Sequence, residues 1–245
     1  MTALFPTRRQ EEWRYADLDA LKPIWEQLAE PETIVVAAGE TFEQLWLPGT
    51  NDVQVRRISI GLGEAAQARI FALNSAADYA RIELDVTLAD DADFTLFGAN
   101  IGGGSCNLEI VTNVRHNGER SRSRQTVRSV LGGKALGTYL GKVEVARGAQ
   151  QTDAEQSVKA LLLDRGATAN CKPELEIFAD DVKCAHGASV GELDADQLFY
   201  AMSRGLDPAA ARALLLEGFV MGLWDDAPDG DAIRDASRAA LRAIA

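Results

Sequence analysis

Cys184 and His186 stand one residue apart in K-P-E-L-E-I-F-A-D-D-V-K-C-A-H-G-A-S-V, the segment from Lys172 to Val190. The chain has three cysteines and two histidines, and this is the one place where two metal-capable side chains sit close together in sequence. On an extended strand, residues i and i+2 project from the same face, so the thiol and the imidazole can address one ion or one neighbouring chain. The plain alternative is that Cys184 packs as a small apolar residue and His186 hydrogen-bonds a turn beside Gly187. Cys171 opens the same motif and is either an auxiliary thiol or an inert one. Cys106, in G-G-G-S-C-N-L, reads as structural.

The elements around this pair are short and β-rich. From Ile34 to Leu193 the chain runs through VQVRRISIGL, RIFAL, ARIELDVTL, DFTLFGANI, NLEIVTNVRH, RSRQTVRSVL, KALGTYLGKVEVA, QSVKALLL and PELEIFA, punctuated by Gly, Asn and Asp. No helical period of useful length interrupts them, which argues against a doubly wound α/β fold and leaves sandwich, barrel or solenoid. Units such as TYLGKVEVARGAQQTD and KPELEIFADDVKCAHGA suggest a loose repeat of about 20 residues, a length at which solenoid coils occur. Before this region, Glu11, Glu12, Trp13, Tyr15, Leu18 and Leu21 predict a short helical arm that Pro23 interrupts. After it, Asp194 is an N-cap with Gln197 at the capping-box position, Gly205 is a stop, Asp207-Pro208 opens a second helix through Leu223, and Asp229 or Asp231 opens a third. The expected division is an arm at 1–33, a β core at 34–193 and a helical segment at 194–245. The second helix carries more apolar surface than one stripe needs, so it is enclosed by its neighbours or docks on a partner.

Bulk properties exclude several classes. With 25 Lys+Arg against 37 Asp+Glu, the net charge of −12 disfavours a nucleic-acid partner. Met1 to Gln10 carries no apolar stretch of signal type and no apolar run approaches 18 residues, so no membrane association and a cytoplasmic location are expected. Widely spaced cysteines, odd in number, fit free thiols or metal chemistry better than a disulfide framework. Asn117-Gly118 signals a tight turn, which makes His116 a surface turn residue. Arg120, Arg122, Arg124 and Arg128 form a basic face expected to pair with carboxylates on the next coil. Gly61-Leu62-Gly63-Glu64-Ala65-Ala66 matches a relaxed dinucleotide pattern, but strand-like sequence resumes at Arg69, too soon for the helix that must hold a pyrophosphate. Gly133-Lys134 and Gly141-Lys142 lack the rest of a phosphate loop, so this chain is not expected to bind ATP. A β-helical polysaccharide enzyme would need clustered carboxylates, and the adjacent Asp180 and Asp181 would point apart on a strand.

Several long stretches resemble one family. GKVEVARGAQQTDAEQ (141–156), LLLDRGA (161–167), KPELEIFADDVKCAHGASVGELD (172–194), LFYAMSRGL (198–206) and ARALLLEGF (211–219) are similar, in order, to the SufB/SufD family of iron–sulfur cluster assembly scaffolds, and to its SufD branch in particular. EEWRYADLDALKP (11–23) resembles the family's N-terminal arm, whereas the similarity is weak from about Pro31 to Val127 and suggests a trimmed β core. The resemblance implies a mainly β chain: a right-handed parallel β-helix with a short helical arm before it and a helical segment after it, two such chains pairing through their last coils. It implies a non-catalytic scaffold subunit whose partners are a SufB-like chain, or a second copy as a homodimer, and a SufC-like ATPase held by the C-terminal helices. On this reading Leu206, Leu214, Leu215, Phe219, Val220, Leu223 and Trp224 make the ATPase-binding surface. His186, with Cys184 and more weakly Cys171, would meet iron or a transient iron–sulfur cluster shared with the partner chain, because one chain does not supply four ligands here. The competing expectation is a purely structural subunit with no ligand role of its own.

Overall fold

The structure, a computed structural model, describes residues 4–76 and 78–244. Its strands are β1 (Glu32–Val36), β2 (Thr41–Trp46), β3 (Val53–Leu62), β4 (Gln67–Asn74), β5 (Tyr79–Leu88), β6 (Asp93–Gly102), β7 (Asn107–His116), β8 (Arg122–Leu131), β9 (Leu136–Val145), β10 (Asp153–Leu162), β11 (Thr168–Ile177) and β12 (Lys183–Gly191). Odd-numbered strands stack in the order β1-β3-β5-β7-β9-β11 and even-numbered ones in the order β12-β10-β8-β6-β4-β2, all parallel in the registers observed. The chain is therefore a β-solenoid in which each coil contributes one strand to each of two facing sheets. Leu62, Leu84, Val86, Phe94, Leu96, Ile110, Val114, Val127, Val143 and Val158 fill the space between them. The period-2 alternation seen in sequence is the inward and outward alternation of these strands.

The coil is longer than the expected 20 residues. Glu32 is in register with Ile58, Asp93 with Arg122 and Leu136 with Thr168, so one turn takes 26, 29 and 32 residues respectively. A unit such as TYLGKVEVARGAQQTD is one strand and one corner, and a full turn needs two of each.

One corner is built from a column of left-handed residues. Gly39, Ala65, Asp91, Arg120 and Gln151 have φ between 54° and 72°. Each N–H donates to a carbonyl of the next coil, at Glu64, Asp90, Glu119, Gln150 and Asp181. Only the first is glycine, and a residue with a Cβ in this conformation costs about 1–2 kcal/mol. Ala65→Gly is expected to raise stability by about 0.5–1 kcal/mol after the extra unfolded-state entropy of glycine, read as a higher denaturation midpoint; an unchanged or lower midpoint counts against a strained corner.

His116 is not a surface turn residue. It ends β7 on the inward face, is 0% exposed, and its Nδ1 and Nε2 lie 2.8 and 2.9 Å from the hydroxyls of Ser121 and Ser123. The Asn117-Gly118 turn exists, but it folds against the coil below, where a Cβ on Gly118 would fall 2.1 Å from Ala89 backbone. Burial pushes the His116 imidazole down to about 4 from its ordinary 6.5. A depressed histidine contributes stability that is complete above 6.5 and is lost as pH falls toward 4, amounting to about 3 kcal/mol. His116→Gln should flatten the stability profile across that window, measured by denaturation at several pH values; an identical slope in the variant counts against it.

The two flanking segments cover the outer faces of the sheets. The arm is a series of short turns, with helical pieces α1 (Leu18–Leu21) and α2 (Trp25–Leu28) rather than one helix. It packs Trp13, Ala16, Leu21 and Trp25 over Tyr79, Val53 and Val55. Underneath lies a buried ionic cluster. Arg81 donates to Glu109 at 3.1 Å, to Glu83 at 2.8 Å and to the Glu12 carbonyl at 2.9 Å, with its guanidinium 3.9 Å from the Trp13 ring centroid. Arg57 bonds Glu83 and the carbonyls of Leu28 and Ala29. Burial works against ionisation of Glu83, but Arg81 and Arg57 outweigh it and hold its carboxyl below the usual range.

At the other end of the chain, α3 (Ala195–Ser203), α4 (Pro208–Val220) and α5 (Gly230–Ile244) follow. The caps are those expected: Asp194 accepts from the amides of Asp196 and Gln197, Asp207 from Ala210 and Asp229 from Ala232. Gly205 takes φ 97° after α3. α4, the turn after it and α5 cover Phe71, Leu73, Ala99, Ile101 and Val130 on the outer face of the even-numbered sheet. Among the described residues, no helix is long and apolar enough to cross a membrane.

Candidate functional site

The residues singled out by type and spacing lie on the last coil. β12 pairs with β10 along one edge and β11 with β9 along one edge, and among the described residues no strand covers the other edge of either. Parallel, in-register strands keep matched residues on the same face. Cys184 therefore stacks over Ala154 and His186 over Gln156, both of them buried. Thiol and imidazole both face the space between the sheets, as their i, i+2 spacing requires. Cys171 stacks over buried Tyr139, which places it on the inner face of β11, while Lys172 faces outward and bonds Glu11 of the arm at 2.8 Å.

The fold thus gathers Cys171, Cys184 and His186 at the uncovered mouth of the solenoid from two opposing strands. Cys171 and Cys184 are half-buried against the same core cluster, and His186 is exposed. Burial pushes both thiols up from their ordinary range, so neither is a pre-formed thiolate. Cys106 is buried in a separate apolar cluster with Leu108, Leu131 and Ala135, as a structural residue would be. Among the described residues, no group of three or more His, Cys, Asp or Glu side chains is close enough to hold a metal ion. The mouth offers donors to an ion but does not enclose one.

One feature below the mouth was missed in sequence. The lumen is lined there by Thr112, Gln125, Tyr139 and Gln156, all buried and joined through the Tyr139 hydroxyl. Burial pushes that phenol up to about 12, with bonds to Thr112 and Gln156 partly offsetting it. The signal was available: in D-A-E-Q-S-V-K-A, strict alternation puts Gln156 inward between Ala154 and Val158.

The expected partner surface on the helices is divided. Val220, Leu223 and Trp224 are buried against the chain's own sheet, and Phe219 is half-buried there beside the Arg128 guanidinium. The apolar excess of α4 is thus mostly internal packing. Leu206, Leu214 and Leu215 remain accessible and line an open depression of about 570 Å³ between α3 and α4. Phe199, Tyr200 and Met202, which were not singled out, extend this surface, with Phe199 73% and Leu214 57% exposed. The arginine run pairs with carboxylates only in part: Arg124 meets Glu155 on the coil after, Arg120 meets Asp91 on the coil before, and Arg128 instead bonds the Val127 and Ser157 carbonyls beside the Phe219 ring. Gly61–Ala66 ends β3 and turns into β4 without a helix. Asp180 and Asp181 lie in the corner between β11 and β12 rather than on a strand.

Comparison with known proteins bears on the same regions. Residues 40–219 match the family model described as SUF system FeS cluster assembly, SufBD core domain. A SufBD family iron–sulfur cluster assembly protein of Synechocystis is 34% identical over 171 residues, 69% of this chain and 38% of that protein. The iron–sulfur cluster assembly protein SufD of Escherichia coli is 37% identical over 112 residues, 46% of this chain and 26% of that one. SufD of Bacillus subtilis is 32% identical over 128 residues, 52% of this chain and 29% of its own length. The matched stretches span well under half of these relatives. Since the family model runs from β2 through most of α4 and takes in the last coil, the chain belongs to the SufB/SufD family of the SUF iron–sulfur cluster assembly system, as a SufD-like member.

Proposed function

We propose that this chain is a non-catalytic scaffold subunit that pairs through its last coil with a SufB-like chain, or with a second copy of itself, and binds a SufC-like ATPase through its C-terminal helices. The observation that carries this reading is the uncovered coil. β11 and β12 leave a row of unpaired backbone groups at their outer edges, an arrangement folded proteins blunt or cover. The mouth they frame bears Cys171, Cys184 and His186 and cannot enclose an ion by itself. A partner coil laid against it would cover the edge and supply the missing ligands to iron or a nascent cluster, which are substrates here rather than resident cofactors. The accessible apolar patch of Phe199, Tyr200, Leu206 and Leu214 is the docking surface for the ATPase, whose hydrolysis would move the helices relative to the paired coils.

Anaerobic co-purification from a SUF-expressing cell, with partner identification and iron and sulfide analysis, tests this. The expected preparation contains a second solenoid chain, an ATPase and iron. Recovery of a metal-free chain with neither partner sinks the proposal, and partners recovered with an iron content that His186→Ala leaves unchanged favours the purely structural role.

A further inference from the structure

The bonds around Tyr139 have a direction. Its hydroxyl donates to Gln125 Oε1 at 3.1 Å and accepts from Gln156 Nε2 at 2.9 Å. In this arrangement the one proton of the phenol goes to Gln125 and Gln156 turns its amide NH₂ toward Tyr139, which leaves Gln125 Nε2 without a partner at the other end. Room for the meeting comes from Gly141, where a Cβ would lie 2.1 Å from the phenol oxygen and 2.5 Å from Gln156 Nε2. The other end of the Gln156 amide, Oε1, is left without a partner although the residue is only 1% exposed. An unpaired buried acceptor is costly, and native proteins keep few of them. This one lies in register with His186 on the same face, and both residues line an open cavity of about 420 Å³ at the last coil. The two thiols stand over other residues, Cys184 over Ala154 and Cys171 over Tyr139.

We propose that Gln156 is a positioning residue for His186: its Oε1 accepts the N–H of the imidazole, fixing one tautomer and leaving the other ring nitrogen as a lone pair for a metal ion at the mouth. The arrangement is the amide counterpart of the carbonyl or carboxylate partners that orient metal-binding histidines elsewhere. It rests on the reading of His186 as a ligand, but its main test does not need iron.

The test is nitrogen NMR of the full-length chain with labelled histidine at a pH where the ring is neutral. There are two histidines to assign, and His186→Ala removes one set of signals. His186 should populate a single tautomer in the parent chain. Gln156→Met, which keeps the volume but not the acceptor, should release it to a mixture, and Gln156→Glu should restore the single form. Ferrous-ion affinity should fall about tenfold in Gln156→Met and recover in Gln156→Glu. A mixture already present in the parent chain overturns the proposal, which covers the case in which Gln156→Met fails to fold. So does a tautomer distribution that Gln156→Met leaves untouched. If the tautomer responds to Gln156 while His186→Ala leaves iron uptake unaffected, the bond stands and the ligand role of His186 falls.

Discussion

Arg81→Ala is expected to destabilise the chain by about 3–5 kcal/mol, the range for removing one partner from a buried ion pair. Arg81 and Glu109 are both 0% exposed, and Glu83 is shared between Arg81 and Arg57. Removing the Arg81 guanidinium leaves the Glu109 carboxylate bonded only to the Tyr79 hydroxyl, with its Oε1 already lacking a partner. It also strips the arm of its deepest contacts, the Trp13 ring face and the Glu12 carbonyl. Two readouts should move together: a lower denaturation midpoint, and faster proteolytic cleavage near Glu11–Trp13. Adding Glu109→Gln to Arg81→Met should recover part of the loss, because the penalty lies in the uncompensated charge rather than in missing volume. A loss under about 1 kcal/mol would mean that water reaches the cluster and that the arm is held without Arg81, by its tryptophans, Arg57 and Lys172.

His186→Ala should lower cluster formation by the assembled complex at least tenfold while leaving the solenoid folded. The side chain is exposed, so its truncation opens no cavity. It is also the donor least hindered in reaching an ion at the mouth, since Cys171 and Cys184 are half-buried protonated thiols that must ionise first. Cys184→Ser should cost less than His186→Ala for that reason. The comparison is made by anaerobic reconstitution followed through visible absorbance and sulfide content, with far-UV circular dichroism to establish the fold. Equal cluster yields from His186→Ala and the parent complex would assign all ligands to the partner chain.

The limits of sequence reading follow from which interactions are local. β7 and β8 run over the same residues as NLEIVTNVRH and RSRQTVRSVL, because strand alternation needs only a residue and its neighbours two positions away. Caps at Asp194, Asp207 and Asp229 were legible for the same reason, since each satisfies amides within three residues. The i, i+2 spacing of Cys184 and His186 fixed their common face before any coil was placed. Their role as a candidate site came from long motifs shared with a family rather than from geometry.

Stacking, by contrast, depends on corner length, which drifts from coil to coil and leaves no fixed repeat to detect. That is why His116 looked like a turn residue: the turn signal at Asn117-Gly118 is real, but only the coils on either side make the position before it interior. The same blindness hid the meeting of Tyr139 with Gln156 and of Arg81 with Glu12, 17 and 69 residues apart. On α4, apolar side chains all around the helix carry no record of which side meets the sheet. Packing chose Ala211, Leu216 and Val220 for the interior and left Leu214 outside. Sequence alone thus determined the strands from β3 to β11, the caps, the family and the shared face of the Cys184–His186 pair. Only the tertiary structure decided that this face ends in an uncovered mouth floored by Gln156, because long-range register is set by how successive coils close on one another, and no local pattern encodes it.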